Sequence, residues 1–240
     1  MNNLGINCII SPKAVIGDNV IIGNNVIIKD NVIIKSNSYI GDNCIIGEYI
    51  IKSPKEEAVI KCTTIGEGAL IRSNSIIYTG TSIGENFSTG HFAIIREDTA
   101  IKNNCSVGSY STVANEVVIG NGTKIHTGTL ITDKSIIGEN VRIFSHITTS
   151  SDKHPPCGLC DVGIKIGDNT VVGAATVFMP GIEIVSNVLI ASGSYVNKNI
   201  FESGYLYGGN PIKKICLVDK IPCTKKIYKS AYPWYLRENL

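Results

Sequence analysis

The chain has 240 residues, 18% of them charged, and a formal net charge of +2, which gives no argument for nucleic-acid binding. The first ten residues, MNNLGINCII, lack the basic start and cleavage site of a secretory signal, and no stretch is long and apolar enough to predict a membrane span. We therefore expect a cytoplasmic protein without nucleic-acid or membrane partners.

Aliphatic residues recur every six positions through most of the chain. One run extends from Leu4 to Ile46, a second from Val59 to Ile143, and a third from Ile166 to Val196. A fixed short period of this kind is typical of a parallel β-helix, in which short strands stack coil upon coil. Three six-residue units close one three-sided coil, so the runs predict an all-β fold of about nine or ten coils.

Within a unit, the third and fourth positions carry turn residues, as in Asp18–Asn19 and Asp42–Asn43. Asn, Asp and Gly tolerate left-handed backbone angles, so these positions are expected at the corners of the coil. The fifth position is usually small and should face inward. Cys8, Cys44 and Cys105 occupy it, which predicts reduced core cysteines.

The rhythm slips at residues 52–58 and 149–165, and loops often leave a repeat scaffold where a site is built. The second loop contains HPPCGLC, residues 154–160. One Cys-x-x-Cys beside a His can bind zinc or cycle redox, or have no such role; no second pair with matching spacing lies nearby, and we predict no metal.

Two parts follow from the repeats: a β-helix over residues 1–200 and a basic C-terminal segment over 201–240. From Lys198 onward the chain carries eight basic against three acidic side chains. Such a segment can hold a small polyanion or form a solvated tail.

One edge of the predicted coil differs from the other two. Residues 18 apart should align, and this edge then collects hydroxyls, two aromatic rings and two histidines at the corners Ser73–Asn74, His91–Phe92, Ser109–Tyr110, Thr127–Gly128 and Ser145–His146. The other two edges carry ordinary turn residues such as Glu97–Asp98. We place the site at the first edge, facing a neighbour in an expected homotrimer. Packing between subunits would explain its aromatic rings equally well.

His91 is the first candidate for a proton acceptor, and His146 the second, because a neutral imidazole accepts protons near pH 7. The unit of His91 is also unusual in having Thr89 in place of an inward aliphatic residue. An orienting or packing role for His91 stays open.

At these residues the chain resembles hexapeptide-repeat acyltransferases, which fold as left-handed β-helices. The segment LIRSNSIIYTGTSIGENFSTGHFAIIRE, residues 70–97, is similar to one found in nucleotide-sugar N-acyltransferases, including those that acylate dTDP-4-amino-4,6-dideoxyglucose. The resemblance implies an acyl-CoA co-substrate, a dTDP- or UDP-linked amino sugar, and contact of His91 with the sugar amine.

Two more segments, 173–196 and 208–215, resemble the coenzyme A segment of the same family. They imply that backbone amides near Ala174, Ala191 and Ser192 meet the pantetheine arm and that Lys213 lies near phosphate. In the long loop, relatives often show Thr-Asn-Asp before Tyr-Pro, whereas Ser150-Ser151-Asp152 precedes His154-Pro155 here. Asp152 remains a candidate ligand of a sugar hydroxyl or amine, and the acceptor can differ.

Four residues of the 70–97 segment are expected to hold the nucleotide, the arginines through its diphosphate, unless they form surface salt links: Arg72, Tyr78, Arg96 and Glu97. The expected reaction is direct transfer of an acyl group from acyl-CoA to the sugar amine. An O-acetyltransferase and a non-catalytic assembly subunit are the alternatives. A zinc hydrolyase of the γ-carbonic-anhydrase type is disfavoured because the chain has no His-x4-His.

Overall fold

A computed structural model describes residues 3–51, 53–156, 159, 161–227 and 230–232. Over these residues the chain winds through three sheets in turn, one on each side of a coil. The first sheet contains β1 (Asn3–Leu4), β4 (Ile21–Ile22), β7 (Tyr39–Ile40), β10 (Leu70–Ile71), β13 (Ser88–Thr89), β16 (Ser106–Val107), β19 (Lys124–Ile125), β22 (Arg142–Ile143), β25 (Val171–Val172), β28 (Leu189–Ile190), β30 (Tyr205–Gly208) and β31 (Lys213–Leu217).

The second sheet contains β2 (Ile9–Ile10), β5 (Ile27–Ile28), β8 (Ile45–Glu48), β11 (Ile76–Tyr78), β14 (Ile94–Ile95), β17 (Thr112–Val113), β20 (Leu130–Ile131), β23 (Thr148–Thr149), β26 (Val177–Phe178) and β29 (Tyr195–Val196). The third contains β3 (Val15–Ile16), β6 (Val32–Ile34), β9 (Thr63–Ile65), β12 (Ser82–Ile83), β15 (Ala100–Ile101), β18 (Val118–Ile119), β21 (Ile136–Ile137), β24 (Lys165–Ile166) and β27 (Glu183–Ile184). A single 3₁₀ turn within the described residues covers Val218–Lys220.

Each strand pairs in parallel with the strand one coil away, usually 18 residues further along the chain. Ser88 lies beside Ser106, for example, and Thr89 beside Val107. Eleven strands of the first sheet are parallel, so the coil is slightly taller than the nine or ten turns predicted, because β30 adds a rung beyond the last repeat. The predicted all-β parallel coil is confirmed.

The core is the column of inward aliphatic residues that the six-residue rhythm predicts. Ile34, Ile40 and Ile46 are fully buried, as are their counterparts on later coils. Cys44 and Cys105 are buried among them, and burial raises the pKa of the Cys44 thiol to about 11. A thiol with that pKa stays protonated and unreactive at neutral pH, which supports a structural role.

The corners adopt the left-handed backbone conformation that the turn residues predict. Asn19, Asn25 and Asn43 all have φ near +55°. At the edge between the first and second sheets, here called the His91 edge, aromatic residues adopt it instead: Phe92 and Tyr110 each have φ of +56°. A side chain other than Gly or Asn costs about 1 kcal/mol in this conformation.

Both interruptions of the repeat leave the coil at the edge between the second and third sheets, here called the loop edge. The chain between β8 and β9 is one, and the chain between β23 and β24 is the other. The long loop thus leaves the coil one strand beyond the His91 edge, on the far side of the second sheet. Cys157 and Cys160 lie outside the described residues.

The C-terminal segment continues the coil and then folds back on it. β30 lies beyond the predicted boundary at residue 200 and still extends the first sheet, and β31 pairs with it in antiparallel fashion. Val218 then packs on the outer face of Val171 and Leu189, with Ile221 and Tyr232 beside it. Within the described residues, no helix is long and apolar enough to cross a membrane.

Candidate functional site

The outer face of the first sheet carries one column of side chains that shapes the site. The column consists of the residue that comes directly after each strand of this sheet, one residue per coil. Two glycines leave its lower part open, and an added Cβ on either would collide with the backbone of the coil above. Larger residues therefore cannot fill this space without moving the coils apart. The column reads Arg72, Gly90, Gly108, His126, Phe144, Gly173 and Ala191.

A groove of about 380 Å³, here called the lower groove, lies on these glycines. Arg72 closes one end, His126 closes the other, and His91 lines the side towards the corner. Hydroxyl groups of Ser109 and Thr127 complete that side. The structure thus brings two predicted site residues, His91 and Arg72, into one cleft.

The backbone of His91 is held while its side chain is exposed. Its N–H donates to Ser109 Oγ at 3.0 Å, and its carbonyl accepts from the N–H of Tyr110 at 3.0 Å. The neighbouring rings of Phe92 and Tyr110 stack with centroids 5.0 Å apart and planes 7° from parallel. His91 therefore projects from a fixed corner, the arrangement that a group acting on a bound substrate requires.

Arg72 is a half-buried cation that faces this groove. One of its guanidinium nitrogens donates to the backbone carbonyl of Thr89. Among the described residues it has no carboxylate partner within 4.0 Å. The remaining donors of the guanidinium are positioned for an anion or a polar ligand.

His126 and Phe144 form the junction between this groove and a larger one. Their rings stack with centroids 4.9 Å apart and planes 20° from parallel. Neither residue was assigned to the site from the sequence. The signal was present, because both follow Arg72 in steps of 18 and so belong to its column.

The larger cleft, here called the upper groove, has a volume of about 1080 Å³. Its floor is apolar, with Val171 and Leu189, and the C-terminal segment supplies a wall through Ile221 and Tyr232. The three residues predicted to meet the pantetheine arm line it together: Ala174, Ala191 and Ser192. Lys213 lies on β31, exposed and outside this lining.

The two grooves share one face of the coil and meet at the ring pair. Phe144 lines the upper groove and His126 the lower one. From Thr89 to Ile190 the first sheet rises by five strand steps, which is about 24 Å at the usual strand spacing. A long, thin ligand can therefore lie along the face with one end in each groove.

Three predicted nucleotide ligands lie elsewhere, at or near the loop edge. Arg96 Nε donates to Glu97 Oε2 at 2.6 Å and Nη2 to Oε1 at 2.7 Å, while the guanidinium lies 5.0 Å from the ring centroid of Tyr78. Glu97 is only 9% exposed. The sequence predicted ordinary turn residues at this edge. That prediction is wrong for Glu97, because its bidentate pair with Arg96 holds the carboxylate in a buried position.

Two carboxylates of the loop edge have pKa values that are shifted in opposite directions. Burial raises the pKa of Glu97, but hydrogen bonds and charge from Arg96 outweigh it, so the net pKa is lowered. The pKa of Asp133 is raised by burial and by the nearby charge of Asp161. Asp161 in turn lies 3.5 Å from Lys134 Nζ, which ties the long loop to this edge.

The last two predicted residues are separated from both clusters. His146 lies on the His91 edge but three coils above His91, about 14 Å along the coil axis, with its ring against Gly128. Asp152 lies in the long loop, where Oδ1 accepts the N–H of His154 at 2.8 Å. Among the described residues, no cluster of three or more His, Cys, Asp or Glu could hold a metal ion.

Comparison with known proteins agrees with this architecture. Residues 19–49 match the family model of the bacterial transferase hexapeptide (six repeats), and residues 62–87 and 163–198 match that of the hexapeptide repeat of succinyl-transferase. The structure of UDP-N-acetylglucosamine acyltransferase from Campylobacter jejuni covers 88% of this chain and 74% of its own, at 18% identity and a TM-score of 0.51. The fold is the left-handed β-helix of hexapeptide-repeat proteins.

Two further similarities cover less of the hexapeptide β-helix. YvoF of Bacillus subtilis (strain 168), which carries the name of an acetyltransferase, is 29% identical over 68 residues, 28% of this chain and 38% of YvoF. A maltose O-acetyltransferase from Clostridium difficile 630 is 28% identical over 42% of this chain and 59% of its own, with a TM-score of 0.39. The matched part of the chain thus spans only 38% of the length of YvoF, the curated relative.

Proposed function

We propose that the protein is an acyl-CoA-dependent N-acyltransferase that acts on the amino group of a dTDP- or UDP-linked amino-deoxysugar. One observation carries the proposal: the groove that contains His91 and the groove that contains the expected coenzyme A residues open onto the same face and meet at the ring pair. The name of YvoF and the hexapeptide models of transferases support acyl transfer in general.

The donor fits the upper groove. Its apolar floor suits the pantetheine arm, and backbone amides near Ala174 and Ser192 can hydrogen-bond the amides of that arm. The basic C-terminal region, with Lys213, would meet the phosphates. The thioester end would then pass Phe144 and enter the lower groove.

The acceptor amine attacks the thioester carbonyl carbon as a neutral group. A C–N bond forms, the C–S bond breaks, the amine proton passes to His91, and the coenzyme A thiolate leaves. Because none of the described residues that line the lower groove is a carboxylate, an ammonium ion gains no ion pair there, and the charge of Arg72 favours the neutral amine.

A sugar hydroxyl is the second candidate acceptor, since the same lining also accepts a neutral hydroxyl. Hydroxyl attack needs a stronger base, commonly a histidine supported by a carboxylate. Among the described residues that line the lower groove, none could support His91 in this way. This observation favours the amine.

Tyr78, Arg96, Glu97 and Asp152 can take part only from a neighbouring subunit, because within one chain they lie outside both grooves. We therefore retain the expected homotrimer, with the loop edge of one copy facing the first sheet of the next. Cyclic closure of three flat-sided coils is compatible with such an interface.

The proposal is tested with a panel of dTDP- and UDP-amino sugars, each paired with the matched sugar that carries a hydroxyl in place of the amine. Acetyl-CoA and longer acyl-CoAs serve as donors, and free thiol and product mass are measured. We expect thiol release and an amide product with at least one amino sugar and not with its hydroxyl counterpart. An ester product from the hydroxyl sugar would show O-acylation, and failure to bind acetyl-CoA or coenzyme A at millimolar concentration would indicate an assembly subunit.

A further inference from the structure

Thr89 interrupts the regular hydrogen bonding between two coils. At most other units, the N–H after the strand donates to the carbonyl of the aliphatic residue one coil above, as Gly90 does to Val107 at 2.7 Å. Arg72 instead donates its N–H to Thr89 Oγ1 at 2.9 Å. The pairing of β10 with β13 accordingly keeps only Leu70 beside Ser88, whereas β13 and β16 pair at both residues.

The exchange releases the carbonyl of Thr89, which then accepts a hydrogen bond from the guanidinium of Arg72. A second buried hydroxyl stabilises the arrangement: Ser75 Oγ donates to the carbonyl of Arg72 at 2.7 Å and lies 3.3 Å from Thr89 Oγ1. Thr89 and Ser75 are at most 1% exposed. The side chain of Arg72 is thus fixed by the carbonyl of Thr89 on the next coil, at one end of the lower groove.

The same exchange occurs once more, on the second sheet. Thr132 donates its N–H to Thr149 Oγ1 at 2.6 Å, and Ser135 Oγ donates to the carbonyl of Thr132 at 2.7 Å. Here too the two strands pair at one residue only. Since Thr132 occupies the place of Arg72, this second copy has the backbone exchange without a guanidinium, which makes it a matched control.

The charge of Arg72 indicates a function for the hydrogen-bond exchange at Thr89. A half-buried cation without a carboxylate partner is costly unless a ligand completes its hydrogen bonds. The planar guanidinium suits bidentate contact with phosphate or carboxylate oxygens. We propose that Thr89 and Ser75 are positioning residues that hold Arg72 as a preformed site for an oxyanion; that the oxyanion is the acceptor's diphosphate rests on the function proposed above.

The experiment measures binding of dTDP to the full chain by calorimetry, without any acyl donor. Thymidine and glucuronate serve as comparison ligands, because the first lacks the diphosphate and the second offers a carboxylate instead. The variants are Arg72→Gln, Thr89→Val, Thr89→Ser and the control Thr149→Val, and the melting temperature of each is recorded. Ser75→Ala replaces Thr89→Val if that variant does not fold.

We expect Arg72→Gln and Thr89→Val each to weaken dTDP binding roughly tenfold, the effect of one lost charge-assisted hydrogen bond. The double variant should bind no more weakly than Arg72→Gln, since both changes remove one interaction. Thr89→Ser should bind as wild type does. Thr149→Val should lower the melting temperature about as much as Thr89→Val does and leave the affinity within roughly twofold, because it lacks the arginine.

Four results would overturn the inference or its assignment to a diphosphate. Equal affinity of the wild type and Arg72→Gln for dTDP would remove the oxyanion site, as would equal binding of dTDP and thymidine. Equal weakening by Thr89→Val and Thr149→Val would reduce Thr89 to a structural role. Binding of glucuronate in preference to dTDP would assign the site to a carboxylate. Arg72-dependent binding without any acyl transfer would contradict the proposed function and leave this inference standing.

Discussion

Several residues of the His91 edge adopt a left-handed backbone conformation that their residue types disfavour. Phe92, Tyr110 and His146 have left-handed φ values of +56°, +56° and +61°, where most corners have Asn or Gly; charged residues of the loop edge, such as Asp98, share this conformation. Backbone strain of this kind persists where the surrounding structure enforces it and often marks a functional site. The conformation places His91 and its neighbours at a rigid corner beside the lower groove.

Replacement of His91 by alanine should lower kcat/KM for acyl transfer by about 100-fold, the lower end of what a positioned acid–base group contributes. Turnover should not vanish, because positioning of the two substrates is retained. The measurement is thiol release across a range of pH. His154→Ala is the matched control, since His154 is exposed in the long loop. Equal kcat/KM of His91→Ala and wild type at every pH would remove His91 from the chemistry.

At the residue scale the sequence predicts part of the site. His91 was found from its corner position in the six-residue period and from the unusual Thr89 in its unit, and Arg72 from the resemblance of the 70–97 segment. His126 and Phe144 were missed although the same period contains them, because neither is unusual within its own unit. Tyr78 and Arg96 were expected at the site because they belong to the same 70–97 segment, whereas the structure places them at the loop edge, one strand away from the His91 edge.

At the scale of structural elements, the loop edge carries a network of ion pairs in which Glu97 is buried. Lys61 Nζ lies 2.6 Å from Asp98 Oδ2, next to the pair of Arg96 with Glu97. Both loops of the chain leave from this edge. The sequence predicted that the repeat is interrupted near residues 52–58 and 149–165, but its period alone does not tell how a loop packs once it has left the coil.

Glu97 should stabilise the fold at neutral pH. Its pKa is lowered in the folded chain, so the folded state binds fewer protons than the unfolded state as the pH falls. Its contribution is therefore full above the ordinary glutamate pKa and is lost as pH falls through the folded value. We expect Glu97→Gln to lower Tm at neutral pH by roughly 2–4 °C, the effect of about 1 kcal/mol, and this difference to shrink in acid.

Asp133 should act with the opposite sign, because burial and Asp161 raise its pKa in the folded chain. Its ionised form at neutral pH opposes folding, so Asp133→Asn should raise Tm there and lose that advantage below the ordinary aspartate pKa. Thermal unfolding at neutral and acid pH tests both variants, with Glu85→Gln at an exposed corner as control. If both variants shift Tm in the same direction at neutral pH, this description of the loop edge is wrong.

The sequence could not predict how the C-terminal segment packs. It has no repeat period, and its position depends on contacts of Val218, Ile221 and Tyr232 with the outer face of the first sheet. These contacts are non-local and have no pattern within the segment itself. The wall of the upper groove therefore appears only in the folded structure, while its floor residues were available from the repeat.

At the scale of the whole molecule, the fold was predictable because each coil repeats the same information. An error in one unit leaves the register of the others intact, and neighbouring coils bury a continuous core. The same geometry aligns residues of both grooves along the coil axis. Arg72, His126 and Ala191 are far apart in sequence but lie in one column, so a single face can bind both substrates of a transfer reaction.

The central claim is that this face binds the donor in the upper groove and the acceptor in the lower one. The structure of the protein with coenzyme A and dTDP bound tests it most directly. We predict that the pantetheine arm lies along Gly173 and Ala191, that its sulfur lies beyond Phe144 in the lower groove and faces His91, and that the diphosphate contacts Arg72. Coenzyme A on the second or third sheet, or an empty upper groove at saturating coenzyme A, would contradict the account.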